Sequence, residues 1–281
     1  MSEAIAYLNG EFMPLGRAKI SVLDRGFLFG DGVYEVIPAY GGRLFRLDQH
    51  LQRLDHSLRA IRLDPPLTHS QWRTVLRELL QGDGDQSVYL QVTRGVAPRR
   101  DHTFPSRPRP TVVAWATPMD AGPPRPARVL THEDIRWQWC HIKAITLLAN
   151  VLLRQEALER DCHEVILIRD GKVTEGAASN VFAVIDGVLV TPPKSRHLLP
   201  GITRDFVLEL ARAENLPFQE RDLYAGELAH AGEIWLTSST RELVPVIELD
   251  GKPVGDGRPG PLWQRLYRRF QDYKQAFRRE R

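Results

Sequence analysis

Four dipeptides constrain this chain more than any other feature: Asn9-Gly10, Asp170-Gly171, Asp186-Gly187 and Asp250-Gly251. The first separates the apolar run 5–8 from Glu11-Phe12-Met13. The second separates 165–168 from 172–174, the third separates 181–184 from 188–190, and the fourth follows 246–249. Asn-Gly and Asp-Gly tolerate the positive φ angles that two-residue hairpin turns demand, so each is expected to join two antiparallel strands.

Helical periodicity fills the intervals. Leu51, Leu54, Leu58 and Ile61 mark one amphipathic helix, with Asp48 as its expected N-cap. Trp72, Val75, Leu76 and Leu79 mark a second. Leu147, Leu148, Val151, Leu152 and Ala157 mark a third, and Phe206, Val207, Leu210 and Ala211 a fourth. The Pro- and Gly-rich stretch 117–126 follows a strand-like run at 111–116 and can continue neither helix nor sheet. It divides the chain into an N-terminal half, 1–120, and a larger C-terminal half, 121–281, both α+β.

Composition narrows the function. A net charge of +3 over 281 residues gives no argument for nucleic acid. No run approaches the roughly 20 apolar residues that cross a bilayer, and Met1-Ser2-Glu3-Ala4 does not open a signal peptide. Cys140 and Cys162 lack metal-ligand spacing and read as reduced, buried thiols of a cytoplasmic protein. In the tail, Leu262, Leu266, Phe270 and Tyr273 alternate with Arg265, Arg268, Arg269, Lys274, Arg278, Arg279 and Arg281. That pattern is a solvated terminal helix with one packed face. No metal, nucleic acid or membrane partner is expected.

One lysine stands apart. Lys19, Lys172, Lys194, Lys252 and Lys274 fall near turns, after prolines or in the polar tail, and are expected to be solvated. Lys143, in Cys140-His141-Ile142-Lys143-Ala144-Ile145, precedes an apolar helix. An ammonium there must find a partner, lose its charge or react, and an uncharged lysine forms imines with aldehydes. Gly201-Ile202-Thr203 opens the helix of Phe206 and offers backbone N–H groups to an anion. Thr237-Ser238-Ser239-Thr240 ends a strand with hydroxyls suited to the same anion. Thr174-Glu175-Gly176-Ala177-Ala178-Ser179-Asn180 combines an acid with small residues that permit close backbone approach.

Together, Lys143, Glu175, Gly201-Ile202-Thr203 and Ser238-Ser239-Thr240 resemble the fold-type IV family of pyridoxal-phosphate enzymes. So do Asp24-Arg25-Gly26-Phe27-Leu28-Phe29-Gly30-Asp31-Gly32-Val33-Tyr34-Glu35 and His50-Leu51-Gln52-Arg53-Leu54, in the expected order over about residues 5 to 255. The resemblance implies a two-domain α+β fold with a cofactor cleft between the domains and a C-terminal cofactor-binding domain. It implies that Lys143 holds pyridoxal 5′-phosphate as a Schiff base and moves the substrate proton. Glu175 would pair with the pyridine nitrogen. Arg53, Ile202, Thr203 and Ser239 would hold the phosphate, Ser238 would also bind the cofactor, Ser179 and Asn180 would lie along it, and Tyr34 would stand near the lysine and substrate.

Within the family, Val92-Thr93-Arg94-Gly95 and the following loop resemble the D-amino acid aminotransferase subgroup. There, an Arg-x-His pair takes the substrate carboxylate from the neighbouring subunit of a homodimer. Arg100 and His102 match it, one residue later than the pattern, with Arg99 as the alternative arginine. Positions two apart in an extended segment project to one side. The implied activity is ping-pong transfer of an amino group from a D-amino acid such as D-alanine to a 2-oxo acid such as 2-oxoglutarate. A branched-chain L-amino acid aminotransferase, expected to lack the Arg-x-His pair, and an aminodeoxychorismate lyase, which would release pyruvate without an amino acceptor, share this scaffold. A non-catalytic pyridoxal-phosphate carrier is the alternative from another class.

Overall fold

The computed structural model describes residues 4–120 and 122–279. The division at Ala121, the N-terminal Met1-Ser2-Glu3 and the tail's Arg281 lie outside the described residues. Two compact units emerge. One comprises residues up to 120, Ile142–Thr146 and 278–279, and the other comprises Gly122–His141 and Leu147–Phe277. The short segment bearing Lys143 therefore belongs with the first unit although it lies beyond the linker.

The first unit is built on β1 (Ile5–Leu8), β2 (Glu11–Pro14), β3 (Gly32–Tyr40), β4 (Arg43–Leu44), β5 (Gln86–Thr93) and β6 (Thr111–Pro118). They form an antiparallel sheet of order β2-β1-β6-β5-β3-β4. Alternation along β5 sends Val88, Leu90 and Val92 to the core and Ser87, Tyr89 and Gln91 to the other face. Three helices belong here: α1 (Arg25–Phe29), α2 (Leu47–Ala60) and α3 (His69–Glu78). Leu51, Leu54 and Leu58 of α2 and Trp72 and Leu76 of α3 close over Val33, Ile37, Val88 and Leu90, with Ile142 and Ala144 in the same cluster. Asp48 is not the N-cap of α2. The helix starts at Leu47 behind Arg46, whose φ is 51°, because Leu47 extends the buried stripe by one turn. Asp48 instead sits in the first turn, where the helix dipole favours a carboxylate.

The second unit contains β7 (Ala127–Glu133), β8 (Glu164–Arg169), β9 (Lys172–Gly176), β10 (Asn180–Ile185), β11 (Val188–Thr191), β12 (Phe218–Glu220), β13 (Glu233–Ser238), β14 (Glu242–Leu249) and β15 (Lys252–Pro253). The mixed sheet runs β12-β11-β10-β13-β14-β7-β8-β9, with β15 against β14. All four dipeptides turn hairpins, with φ of 51° and 107°, 52° and 74°, 48° and 77°, and 50° and 73°. One sheet face buries Val129, Ile166, Val181, Ile234, Leu236 and Val246.

Helices α4 (Leu148–Glu159), α5 (Ile202–Ala213), α6 (Ala225–Leu228) and α7 (Pro261–Arg279) complete the described elements. In α4 the buried residues are Leu153 and Ala157, packed on Leu130, Val165 and Leu167, whereas Leu148, Val151 and Leu152 face outward. The start of α7 is capped from β13. Glu233 accepts from the N–H groups of Leu262 and Trp263, at 2.8 Å each, satisfying donors that the first turn leaves open.

Lys274 departs from its expected solvation. It continues the stripe of Trp263, Leu266 and Phe270 into the interior, and its Nζ donates to Glu242 Oε1 at 2.7 Å. Gln271 Nε2 also donates to Glu242 Oε2, at 2.6 Å, so removing the lysine deprives the buried carboxylate of the Lys274 counter-charge. Lys274→Ala is therefore expected to lower unfolding free energy by about 3–5 kcal/mol in urea denaturation. A loss below about 1 kcal/mol would place the pair with ordinary surface ion pairs.

Candidate active site

In the first unit, Lys143 is fixed by its backbone. Its carbonyl accepts from Tyr34 N at 3.0 Å and its N–H donates to Ser57 Oγ at 3.2 Å, while Ala144 bridges Val33. The half-buried side chain places Nζ 4.2 Å from the centroid of the Tyr34 ring. That ring stacks on Tyr89 at 5.7 Å, and Tyr89 lies 4.5 Å from Trp115. Burial, with Tyr34 beside it, pushes the Tyr89 hydroxyl up to about 12. Tyr89 therefore stays neutral and donates to Gln91 Oε1 at 2.7 Å. The lysine thus stands on a wall of rings that keeps its amine in place.

The next residue on β3, Glu35, points to the opposite face and organises Arg53. Arg53 donates from Nε and Nη2 to the two carboxylate oxygens at 2.8 and 2.7 Å, and His50 Nδ1 lies 2.7 Å from Oε2. All three side chains are buried. Burial alone would raise the Glu35 carboxyl, but the Arg53 charge and the bonds from Arg53 and His50 bring it down to about 2. Burial lowers His50, so the neutral ring carries its proton on Nδ1 toward the carboxylate.

Arg100 and His102 stand elsewhere in this unit, both exposed, in a loop without strand or helix. Arg100 Cζ is 4.8 Å from the Phe29 centroid, and the His102 ring is 5.2 Å from the same ring.

In the second unit, Glu175, Ser179, Asn180, Ile202 and Thr203 form one patch. Asn180 Nδ2 donates to Glu175 Oε2 at 3.2 Å and to Leu199 O at 2.9 Å, and Leu199 N donates to Glu175 Oε2 at 3.0 Å. Gly201 approaches Asn180 so closely that a Cβ would collide with the amide oxygen, and it begins α5 without a side-chain cap. The N–H groups of the first α5 turn therefore face outward from a backbone brought near Asn180. Thr237 pairs across the sheet with Asn180, and Ser238 and Ser239, both half-buried, follow at the end of β13.

Residues that no sequence pattern marks complete this patch. Arg136 is a buried hub. It donates from Nε and Nη2 to the two Asp134 oxygens at 2.9 Å each, from Nη2 to His197 O at 3.2 Å, and from Nη1 to Glu175 Oε1 in a short contact. Burial would raise Asp134, but the bonds and charge of Arg136 hold it below the usual carboxylate range. For Glu175, burial wins, and its carboxyl is raised despite Arg136 and the Leu199 N–H. Cys140 is buried with its thiol pushed up to about 11, the state of an inert structural cysteine.

The residues fit a polar, anionic guest. Ser179 Oγ and Thr237 Oγ1 are buried and have no hydrogen-bond partner among the described residues. Leaving such a group unmatched costs about 1–3 kcal/mol. Both lie beside the open helix start, where a phosphate-bearing cofactor would supply acceptors. Among the described residues no cluster of His, Cys, Asp and Glu suits a metal ion, and no helix is long and apolar enough to cross a membrane.

The chain matches the amino-transferase class IV family over residues 32–249. It is 40% identical over 277 residues to a D-alanine aminotransferase of Staphylococcus haemolyticus, covering 95% of this chain and 96% of that one. A D-alanine aminotransferase of Bacillus licheniformis is 39% identical over 269 residues, covering 94% and 95%. Among solved structures, the T.th. branched-chain amino acid aminotransferase with pyridoxamine 5′-phosphate has a TM-score of 0.89 at 27% identity, covering 99% and 96%. The branched-chain aminotransferase of Thermoproteus uzoniensis with norvaline has a TM-score of 0.86 at 27% identity, covering 96% and 94%. A family match across most of the chain and relatives aligned along nearly all of it make this protein a member of the amino-transferase class IV family, with the two-domain α+β fold of that class.

Proposed function

We propose that this enzyme is a pyridoxal-5′-phosphate-dependent D-amino acid aminotransferase. It takes the amino group of a D-amino acid such as D-alanine and passes it to a 2-oxo acid such as 2-oxoglutarate in two half-reactions. The observation that carries the substrate class is the 40% identity to a D-alanine aminotransferase along 95% of the chain. The similarity to branched-chain enzymes is weaker in sequence, at 27%.

Bound pyridoxal phosphate supplies the carbonyl that receives the amino group and the electron sink that lets the Cα proton leave. Lys143 is the covalent anchor, and its Nζ takes and returns the substrate Cα proton. Tyr34, 4.2 Å from that Nζ, keeps the amine oriented. Glu175 would pair with the pyridine nitrogen of the bound cofactor. A carboxylate whose proton affinity burial has raised makes the stronger partner for a protonated nitrogen. Ile202 and Thr203 offer N–H groups to the phosphate, Thr203, Ser238 and Ser239 hydroxyls, and Arg53 charge. Ser179 and Asn180 line the cofactor. Arg100 and His102 take the substrate carboxylate, and the Phe29 ring they share favours Arg100 over Arg99 for this role.

This reading makes the unit containing Glu175 and α5 the larger C-terminal cofactor-binding domain, from about residue 121, behind a smaller N-terminal one. It also includes a homodimer whose neighbouring subunit completes each site. The outward Leu148, Val151 and Leu152 of α4, 71%, 59% and 56% exposed, are an apolar face suited to a second copy. Two free thiols fit a cytoplasmic, reducing setting.

The deciding experiment adds D-alanine or L-leucine to the cofactor-loaded enzyme and follows the visible absorbance. Bleaching by D-alanine alone supports the proposal, and bleaching by L-leucine alone transfers the enzyme to the branched-chain class. Lys143→Ala is expected to cut multiple-turnover transamination by about 10²–10⁴-fold or more while the fold persists. Retained turnover would remove Lys143 from its role.

Glu35 gives a pH test of the Arg53 mount. Its folded value of about 2 lies below the ordinary 4.5, so the ionised form stabilises the fold above about pH 4.5 and that contribution fades as pH falls toward 2. At pH 7, Glu35→Gln should cost roughly 3 kcal/mol and weaken cofactor retention. The stability gap from wild type should narrow in urea titrations at progressively lower pH. A gap independent of pH would mean that the charge of Glu35 is not what holds Arg53.

A further inference from the structure

The loop that carries Arg100 and His102 has no secondary structure to shape it, yet its backbone is held from inside by one buried cation. Arg25, at the start of α1, has a side chain only 4% exposed. Its Nη1 donates to the carbonyls of Asp101 and Thr103 at 2.6 and 3.1 Å, and its Nη2 to the carbonyl of His102 at 3.3 Å. Three successive carbonyls of the loop thus turn toward a single guanidinium. The remaining donor, Nε, holds Asp31 Oδ2 at 2.8 Å. Arg94 grips the same aspartate at 2.8 and 3.0 Å, bonds the carbonyls of Ile61 and Arg62, and lies 3.7 Å over the ring of Phe104 at the loop's far end.

Phe29, one helical turn beyond Arg25, links this mount to the side chains above it. Its ring centroid is 4.8 Å from Arg25 Cζ, 4.8 Å from Arg100 Cζ and 5.2 Å from the His102 ring. Arginine suits the task because its planar fork presents several fixed donors at once, which a lysine ammonium does not. Asp101 closes the turn by accepting from Thr103 N at 3.0 Å.

We propose that Arg25 is a positioning residue for substrate carboxylate recognition: by holding the carbonyls of Asp101, His102 and Thr103, it keeps Arg100 and His102 together on Phe29. This rests on the assignment of Arg100 and His102 as the carboxylate-binding pair. With its side chain only 4% exposed, Arg25 acts by removing conformational freedom from the loop before substrate arrives.

The test uses cofactor-loaded Arg25→Lys, Phe29→Leu and Arg100→Gln enzymes and the Arg25→Lys/Arg100→Gln double variant. Each is assayed for KM and kcat with D-alanine, for inhibition by propionate, a carboxylate without an amino group, and for visible spectrum and melting temperature. Arg25→Lys should raise KM and the propionate inhibition constant by about 10- to 100-fold, with kcat far less affected and the cofactor spectrum unchanged. Phe29→Leu should move both constants the same way by less. In the double variant, the Arg25 change should add much less than it does alone, because only His102 is then left for it to position.

A folded, spectrally normal Arg25→Lys enzyme with wild-type KM overturns the proposal, as do fully additive effects in the double variant. If Arg25→Lys does not fold, Phe29→Leu decides, and wild-type constants there overturn it. If Arg100→Gln itself leaves KM and propionate binding unchanged, the carboxylate assignment fails first, and any Arg25 effect is then structural.

Discussion

A guanidinium taken out of water must be given oxygens, and a carboxylate beside it must be given donors. Three buried clusters in this protein obey that constraint, and each supports residues of the proposed site. Glu35 holds Arg53 with His50 as a third member. Asp31 is shared by Arg25 and Arg94, which extend to the carbonyls of two loops. Asp134 is gripped by Arg136, which reaches Glu175. Breaking any one would strand a charge in a low-dielectric interior, so the side chains above them occupy a single arrangement.

That arrangement matters because the chemistry asks for cations and acids in defined places more than for unusual groups. Glu175 is raised by burial yet bonded by Asn180 and Leu199, which fixes its orientation while preserving its affinity for a proton. The uncapped start of α5 and the hydroxyls of Ser179 and Thr237, unmatched among the described residues, leave donors that the proposed phosphate would satisfy. The lysine rests on an aromatic wall of Tyr34, Tyr89 and Trp115, which contributes orientation without another charge.

Local chemistry was the legible part. Each Asn-Gly or Asp-Gly pair adopts the positive φ values that its residues tolerate, whatever surrounds it. Helices α2, α3, α4, α5 and α7 appear where apolar spacing placed them, since 3.6-residue periodicity requires only neighbours in sequence. Which face of a helix is buried depends on what lies across from it. Leu148, Val151 and Leu152 have the right spacing for a core stripe, but the sheet offers its apolar surface to Leu153 and Ala157 instead. Lys274 shows the converse, a charge in a polar tail drawn inward because Glu242 waits on the opposing strand.

The sequence by itself determined the hairpins, the longer helices and the family, and it singled out Lys143 and Glu175 as candidates, because these reside in residue types and their order. It carried no sign of Arg25, Arg136 or Asp134 as supports. A buried arginine looks like a solvated one until the chain is folded, and its partners lie 76 to 78 residues away for Arg25 and the loop, and 39 for Arg136 and Glu175. Only tertiary structure decided those pairings, because desolvation, which makes them obligatory, arises when the core closes around them.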